Sequence, residues 1–211
     1  MKLVLASQSP WRKKLLSWLV VDFDVVVSDF DERSVEIKNP GELVEKLALE
    51  KAKVVAKTLG EGVVIGADTV IVVGDEIHGD LRILGKPDDI NHAREILSSL
   101  RGKTHQVYTG VAVVDVLDGK EAVEVDVTKM KFKEFSNEVL ESYLETGDSM
   151  GKAGAYQFLK IAKNFVDGYE GSVTGVIGLP LGRLKRMLGE MGVDVGVNTE
   201  EIVMKEIGFK D

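Results

Sequence analysis

Asp68 stands in an otherwise apolar run, Val63-Val64-Ile65-Gly66-Ala67-Asp68-Thr69-Val70. Burying a carboxylate without a partner is costly. An aspartate in this setting therefore either performs chemistry or is bonded to local backbone N–H groups or to a lysine. The Gly66-Ala67 pair before it lets another group approach the backbone closely. A second grouping is Ser7, Ser9, Arg12, Lys13 and Lys14. Where a strand feeds a helix, free N–H groups and the positive end of the helix dipole converge. Two hydroxyls and three cations added there make a seat for a phosphate, although an ordinary strand–helix unit with a basic first turn has the same pattern. Asp29, Asp31 and Glu32 put three carboxylates in four positions. That is the composition of a solvated turn. With Glu32 opposite Asp68 it would also serve as an oxygen-ligand site for Mg²⁺ or Mn²⁺. Lys51 has Leu47 and Val54 at i−4 and i+3, so it can emerge at the edge of a core or on the surface. Lys86 lies in Gly85-Lys86-Pro87, where the flanking residues constrain its direction. His105 has no second histidine at ligand spacing and reads as a strand residue, not a zinc ligand.

These residues need elements to position them. Lys2–Ala6 is a short apolar run and predicts a strand. Ser9 predicts a helix N-cap with Pro10 in first position, followed by an apolar face of Leu15, Leu16 and Leu19. Val20–Ser28 is β-branched and predicts the second strand, with the acidic loop after it. A helix is expected from Pro40 to near Leu59, a strand over Val63–Val73, and a hairpin turn at Gly74-Asp75-Glu76-Ile77. A strand ending near Pro87, a helix over Asp88–Leu100 and a hairpin of Thr104–Val116 with Glu121–Phe132 follow. A helix capped by Ser136, a glycine-rich loop over Gly147–Gly154, and a strand over Phe165–Glu170 come next. Ala155–Lys163 fits helix or strand equally. Gly171–Gly175 reads as a loop, and helices are expected over Leu184–Met191 and Glu200–Ile207. Alternating strands and helices with hairpins among them predict an α/β fold with a mixed sheet. Periodicity does not give the strand order.

At 211 residues the chain is long enough for one domain, or one domain with two lobes. A formal net charge of −8 argues against broad nucleic-acid binding, which needs a basic surface. It leaves room for a small anion in a local basic pocket. The absence of cysteine excludes disulfides, thiolate catalysis and cysteine-ligated zinc. No apolar run approaches membrane-spanning length and no signal-peptide pattern opens the chain, so no membrane partner and a cytoplasmic location are expected.

Leu5-Ala6-Ser7-Gln8-Ser9-Pro10-Trp11-Arg12 resembles the opening signature of the Maf family, nucleoside triphosphate pyrophosphatases related in fold to inosine triphosphate pyrophosphatase. Further segments match in order. Gly66-Ala67-Asp68-Thr69 is similar to the segment holding the family's catalytic acid, and the Asp31-Glu32 pair to its metal-site glutamate. Leu47-Ala48 with Lys51-Ala52, and Gly85-Lys86-Pro87, are similar to segments with substrate lysines. Arg101-Gly102 with His105–Val111, Gly147–Tyr156, Glu170-Gly171-Ser172 and Val176–Leu181 extend the match from about Leu3 to about Leu181. The resemblance implies one domain over residues 1–211, an elongated twisted mixed sheet flanked by helices, and two lobes around a cleft. It implies hydrolysis of a nucleoside triphosphate between its α- and β-phosphates, with a divalent cation, Mg²⁺ or Mn²⁺, held by Glu32 and Asp68. Asp68 would be catalytic. Ser7, Ser9, Trp11, Arg12, Lys51, Lys86 and Gln157 would bind substrate, and the protein would be a homodimer. Two departures leave the base open. Trp11, where the family usually has arginine, looks like the branch acting on 7-methyl-GTP, and an indole face gains attraction from a cationic base. Gly-Ala-Asp-Thr and Lys-Ala-Gly-Ala-Tyr look like the branch acting on dTTP and UTP, yet Leu159 stands where that branch has its base-reading glutamine and Gln157 lies two positions earlier. A non-catalytic nucleotide-binding regulator of septum formation, which would not need Glu32 and Asp68, is the second reading. A phosphatase releasing orthophosphate is the third.

Overall fold

The computed structural model describes residues 2–74 and 80–211. The hairpin turn expected at Gly74–Ile77 lies, apart from Gly74, outside the described residues. The strands are β1 (Leu3–Ala6), β2 (Asp24–Val25), β3 (Val63–Val73), β4 (Arg82–Leu84), β5 (Thr104–Asp115), β6 (Glu121–Phe132) and β7 (Val166–Glu170). They form one seven-stranded sheet in the order β2-β1-β3-β5-β6-β7, with β4 also paired to β3. The β1–β2 and β1–β3 pairs are parallel, while β3–β4 and β6–β7 are antiparallel, so the sheet is mixed as expected. The helices are α1 (Pro10–Leu19), α2 (Pro40–Ala56), α3 (Ile90–Leu100), α4 (Asn137–Leu144), α5 (Phe158–Phe165), α6 (Val173–Ile177), α7 (Leu181–Glu190) and α8 (Thr199–Ile207). Among the described residues no helix is long and apolar enough to cross a membrane.

The helix starts follow their caps. The side chains of Ser9, Asn39, Asp89, Ser136 and Asn198 each accept a backbone N–H at the first turn, with proline in the first turn of α1 and α2. Three expectations change. The second strand is two residues long, because it pairs only with β1, itself four residues; Val21 and Val27 are exposed. The segment expected as a loop at Gly171–Gly175 instead holds the start of α6, whose N-cap Ser172 Oγ accepts from the Gly175 N–H at 2.9 Å. Two glycines and two β-branched residues concealed it, since none favours a helix. The ambiguous segment after Ala155 is helix α5.

The chain divides into two compact units. The first comprises Met1–Thr69, Thr109–Asp126 and Ser172–Asp211, and the second Val70–Tyr108 and Val127–Gly171. In the first, Val4, Ala6, Val64, Ala112 and Val114 of the strands pack with Ala48, Ala52 and Val55 of α2. The buried stripe of α2 is Val44, Leu47, Ala48, Lys51, Ala52 and Val55, a 3.6-residue period that includes one lysine. Helix and sheet approach very closely. A Cβ at Gly66 of β3 would strike the Ala48 carbonyl, and one at Gly110 of β5 would strike the Val44 carbonyl. These two strand glycines let α2 lie against the sheet. In the second unit Phe132, Phe135, Phe165, Tyr143 and Tyr156 form an aromatic cluster, of which Phe132 and Tyr156 meet His105.

Candidate active site

Side chains alternate along a strand, so Gly66 and Asp68 share the face of β3 that meets α2. Lys51 lies three residues beyond Ala48, one helical turn along the same stripe. Its Nζ donates to Asp68 Oδ1 at 2.5 Å and pairs with Glu32 Oε1 at 2.8 Å. The lysine and aspartate are buried, at 9% and 8% exposure, whereas Glu32 lies in an exposed 3₁₀ turn, Glu32–Ser34, capped by Asp31. One of the alternatives for Asp68, a paired lysine, is thus realised. The pairing also brings together two carboxylates that the sequence places 36 positions apart.

Thr69 points to the opposite face of β3. There Arg12 is braced three times. Its Nε donates to the Gly178 carbonyl at 2.8 Å, Nη1 to the Ala67 carbonyl at 2.8 Å, and Nη2 to Thr69 Oγ1 at 3.1 Å. Two of its five N–H groups therefore grip the residues on both sides of Asp68, and a third ties it to Gly178. Thr69 Oγ1 meets Thr109 Oγ1 at 2.9 Å, and Thr109 donates to the Gly175 carbonyl at 2.8 Å. Burial pulls the Arg12 guanidinium below its ordinary range, and the charges of Asp68 and Glu32 push it back up. It stays protonated.

The serines are arranged differently from a simple cradle of N–H groups. Ser7 Oγ accepts from the Ser9 N–H at 3.1 Å, and Ser9 Oγ accepts from the Arg12 N–H at 3.4 Å. Each hydroxyl keeps its own proton to donate, so the serines offer O–H groups to an anion while the Ser9 and Arg12 N–H groups are taken. Trp11, at the start of α1, is half-buried, with Lys14 Nζ 5.2 Å from its ring centre.

The first unit thus gathers Ser7, Ser9, Trp11, Arg12, Glu32, Lys51 and Asp68. Lys86 and Gln157 belong to the second. Lys86 is exposed, and the carbonyl of the preceding Gly85 accepts from the Gly154 N–H at 3.1 Å, which ties its loop to the glycine-rich turn. Gln157 is buried at the start of α5. Its N–H donates to Tyr143 Oη at 3.0 Å, and its Nε2 has no partner among the described residues. His105 is a buried strand residue, as its spacing suggested, 2.9 Å from Tyr156 Oη. Thr69, Thr109 and Gly178 lie in segments that match the family, but the sequence did not single them out as site residues. For the two threonines the local signal is a polar residue within an apolar strand.

Glu32 and Asp68 converging on one cation form a hard, all-oxygen donor pair, the chemistry that Mg²⁺ and Mn²⁺ prefer. Two carboxylates leave most of an octahedral shell to be completed by other oxygens, and among the described residues no third acidic, histidine or cysteine side chain joins them. The formal charges of Arg12, Lys51, Glu32 and Asp68 cancel, so a polyanion entering this place would bring uncompensated charge that a divalent cation offsets.

Residues 2–191 match the family model described as Maf-like protein. The chain is 42% identical over 193 residues to the dTTP/UTP pyrophosphatase of Desulforamulus reducens, covering 92% of this chain and 98% of that one. It is 43% identical over 194 residues to that of Pelotomaculum thermopropionicum, covering 92% and 98%. To that of Acetivibrio thermocellus it is 40% identical over 201 residues, covering 92% and 97%. Among solved structures it aligns over 90% of its length with a dITP/XTP pyrophosphatase from Mycobacterium abscessus, at 18% identity and a TM-score of 0.46.

Proposed function

Since the chain belongs to the Maf family, we propose that it is a nucleoside triphosphate pyrophosphatase, cleaving a pyrimidine nucleoside triphosphate such as dTTP or UTP to the monophosphate and pyrophosphate. The observation that carries this reading is the buried Lys51 between Glu32 and Asp68. It sets a candidate base, a candidate cation seat and a phosphate-binding ammonium group within one contact of each other. Asp68 accepts the proton of the water that attacks the α-phosphorus, while the bond from that phosphorus to the bridging oxygen breaks and pyrophosphate leaves. Lys51 orients the Asp68 carboxylate and lends positive charge to the phosphates. Arg12 holds Ala67 and Thr69 in place, which fixes the backbone carrying Asp68. The Ser7 and Ser9 hydroxyls donate to phosphate oxygens. A divalent cation bound by Glu32 and Asp68 would supply charge stabilisation as the phosphates separate. Lys86 and Gln157 as substrate contacts rest on the family resemblance, as does a homodimeric state.

Trp11 bears on the choice of base. Lys14 Nζ already lies over the indole ring, so a cationic 7-methylguanine stacked on that face would meet a like charge. Pyrimidine triphosphates therefore rank first.

The test is a product assay with Mg²⁺ or Mn²⁺, offering dTTP, UTP, CTP, GTP and 7-methyl-GTP separately and resolving pyrophosphate from orthophosphate. Pyrophosphate plus monophosphate, fastest with dTTP or UTP, is expected. Fastest turnover of 7-methyl-GTP would overturn the base assignment, and orthophosphate alone would overturn the reaction. Binding without turnover of any triphosphate would favour the regulatory reading.

A further inference from the structure

Helix α6 has five residues, too few to hold itself together by its own hydrogen bonds. Its position is set from outside. At its middle the Gly175 carbonyl accepts from Thr109, and just past its end the Gly178 carbonyl accepts from Arg12. At its beginning stands a residue far along the chain. Asp211 Oδ1 accepts from Ser172 Oγ at 2.7 Å, from the Thr174 N–H at 2.8 Å and from Thr174 Oγ1 at 2.8 Å, with Oδ2 also 2.8 Å from that hydroxyl. Thr174 is fully buried, and its hydroxyl accepts in turn from the Leu181 N–H at 3.0 Å. A carboxylate here satisfies the Thr174 N–H, one of the helix's otherwise orphaned backbone donors. The segment that delivers it lies beyond residues 2–191, the span matched by the family model. Asn198 caps α8, Val203 is fully buried, and Gly208 ends the helix at a φ of 73°, the left-handed conformation that glycine adopts freely.

We propose that Asp211 is a positioning residue for the triphosphate reaction, holding α6 so that the Gly178 carbonyl orients Arg12 beside Asp68. This rests on the proposed activity. The path is continuous. Asp211 fixes Thr174, the Thr174 carbonyl accepts the N–H groups of Gly178 at 3.0 Å and Leu179 at 2.9 Å, and Gly178 fixes Arg12. Arg12 then braces Ala67 and Thr69.

The test uses the full chain as wild type, Asp211→Ala, Arg12→Ala and the double variant, with steady-state kinetics on dTTP and amide hydrogen exchange. Asp211→Ala should lower kcat/KM about tenfold with Arg12 present and less than about twofold in the Arg12→Ala background, because the two act through one path. Equal losses in both backgrounds, the signature of a smaller folded fraction, would overturn the proposal. So would no loss with Arg12 intact. Exchange decides the matter without turnover. Asp211→Ala should speed exchange of the Gly178 and Leu179 amides about tenfold or more, and unchanged exchange would overturn the positioning role. A wild type that turns over none of the triphosphates sinks the proposed activity, and with it the role for Asp211 in that reaction.

Discussion

The lysine at position 51 has two acidic partners and one purpose that follows from them. Burying a carboxylate without a partner is costly, and Asp68 is buried. The Nζ at 2.5 Å removes that difficulty. Asp68→Asn keeps the shape of the side chain and removes the base. Turnover should fall about 10²–10⁴-fold, measured by pyrophosphate release, with an unchanged circular dichroism spectrum. Retention of more than a tenth of the activity would remove Asp68 from the catalytic role. Arg12 teaches a different lesson at the same scale. Its place in a Ser-Pro-x-Arg motif suggests a phosphate ligand, yet three of its N–H groups are bound to protein oxygens, two of them on the residues that flank Asp68. A guanidinium has enough donors to brace the site and still face an anion.

Helix α2 and strand β3 form the element pair on which the candidate site depends. Gly66 and Gly110 admit the helix backbone to the sheet, and Lys51 reaches Asp68 only because of that closeness. Gly66→Ala would set a methyl group against the Ala48 carbonyl and Ala52. Overpacking of this kind costs about 1–3 kcal/mol, read from the urea midpoint. Since the helix carries the lysine, kcat/KM should fall beyond the loss of folded protein, and a variant of unchanged stability and activity would refute the close approach. The segment Gly66-Ala67-Asp68-Thr69 thus serves twice. Its glycine makes room for the helix and its aspartate receives the helix's lysine. The caps at Ser9 and Ser136 were readable because a side chain bonding to its own first turn is a local event. Helix α6 was not readable. Its residues disfavour helix, and the contacts that hold it come from Thr109, Arg12 and Asp211.

For the whole molecule, the second unit sets a pH limit on stability. His105 is buried among aromatic rings, and desolvation pushes its pKa down from 6.5 to about 3. The folded state therefore holds it neutral while the unfolded chain protonates it near pH 6.5. Below that pH the unfolded state binds more protons, so this histidine's contribution is complete above pH 6.5 and is lost progressively as pH falls toward 3. The slope should approach about 1.4 kcal/mol per pH unit, measured by urea unfolding at several pH values. His105→Gln should remove that part of the slope between pH 6.5 and 5, and an identical slope in the variant would refute the assignment. Taken alone, the 211 residues determined the α/β class, most element positions, the capped helix starts and the family, because apolar period, capping chemistry and contiguous motifs are short-range properties of the chain. They also marked Asp68 as a carboxylate in need of an explanation. Only the tertiary structure decided the strand order, the shortness of β2, the existence of α6, the joining of Glu32, Lys51 and Asp68, and the threefold bracing of Arg12. Each of these depends on contacts between residues distant in sequence, where burial and hydrogen-bond partners outweigh local preference.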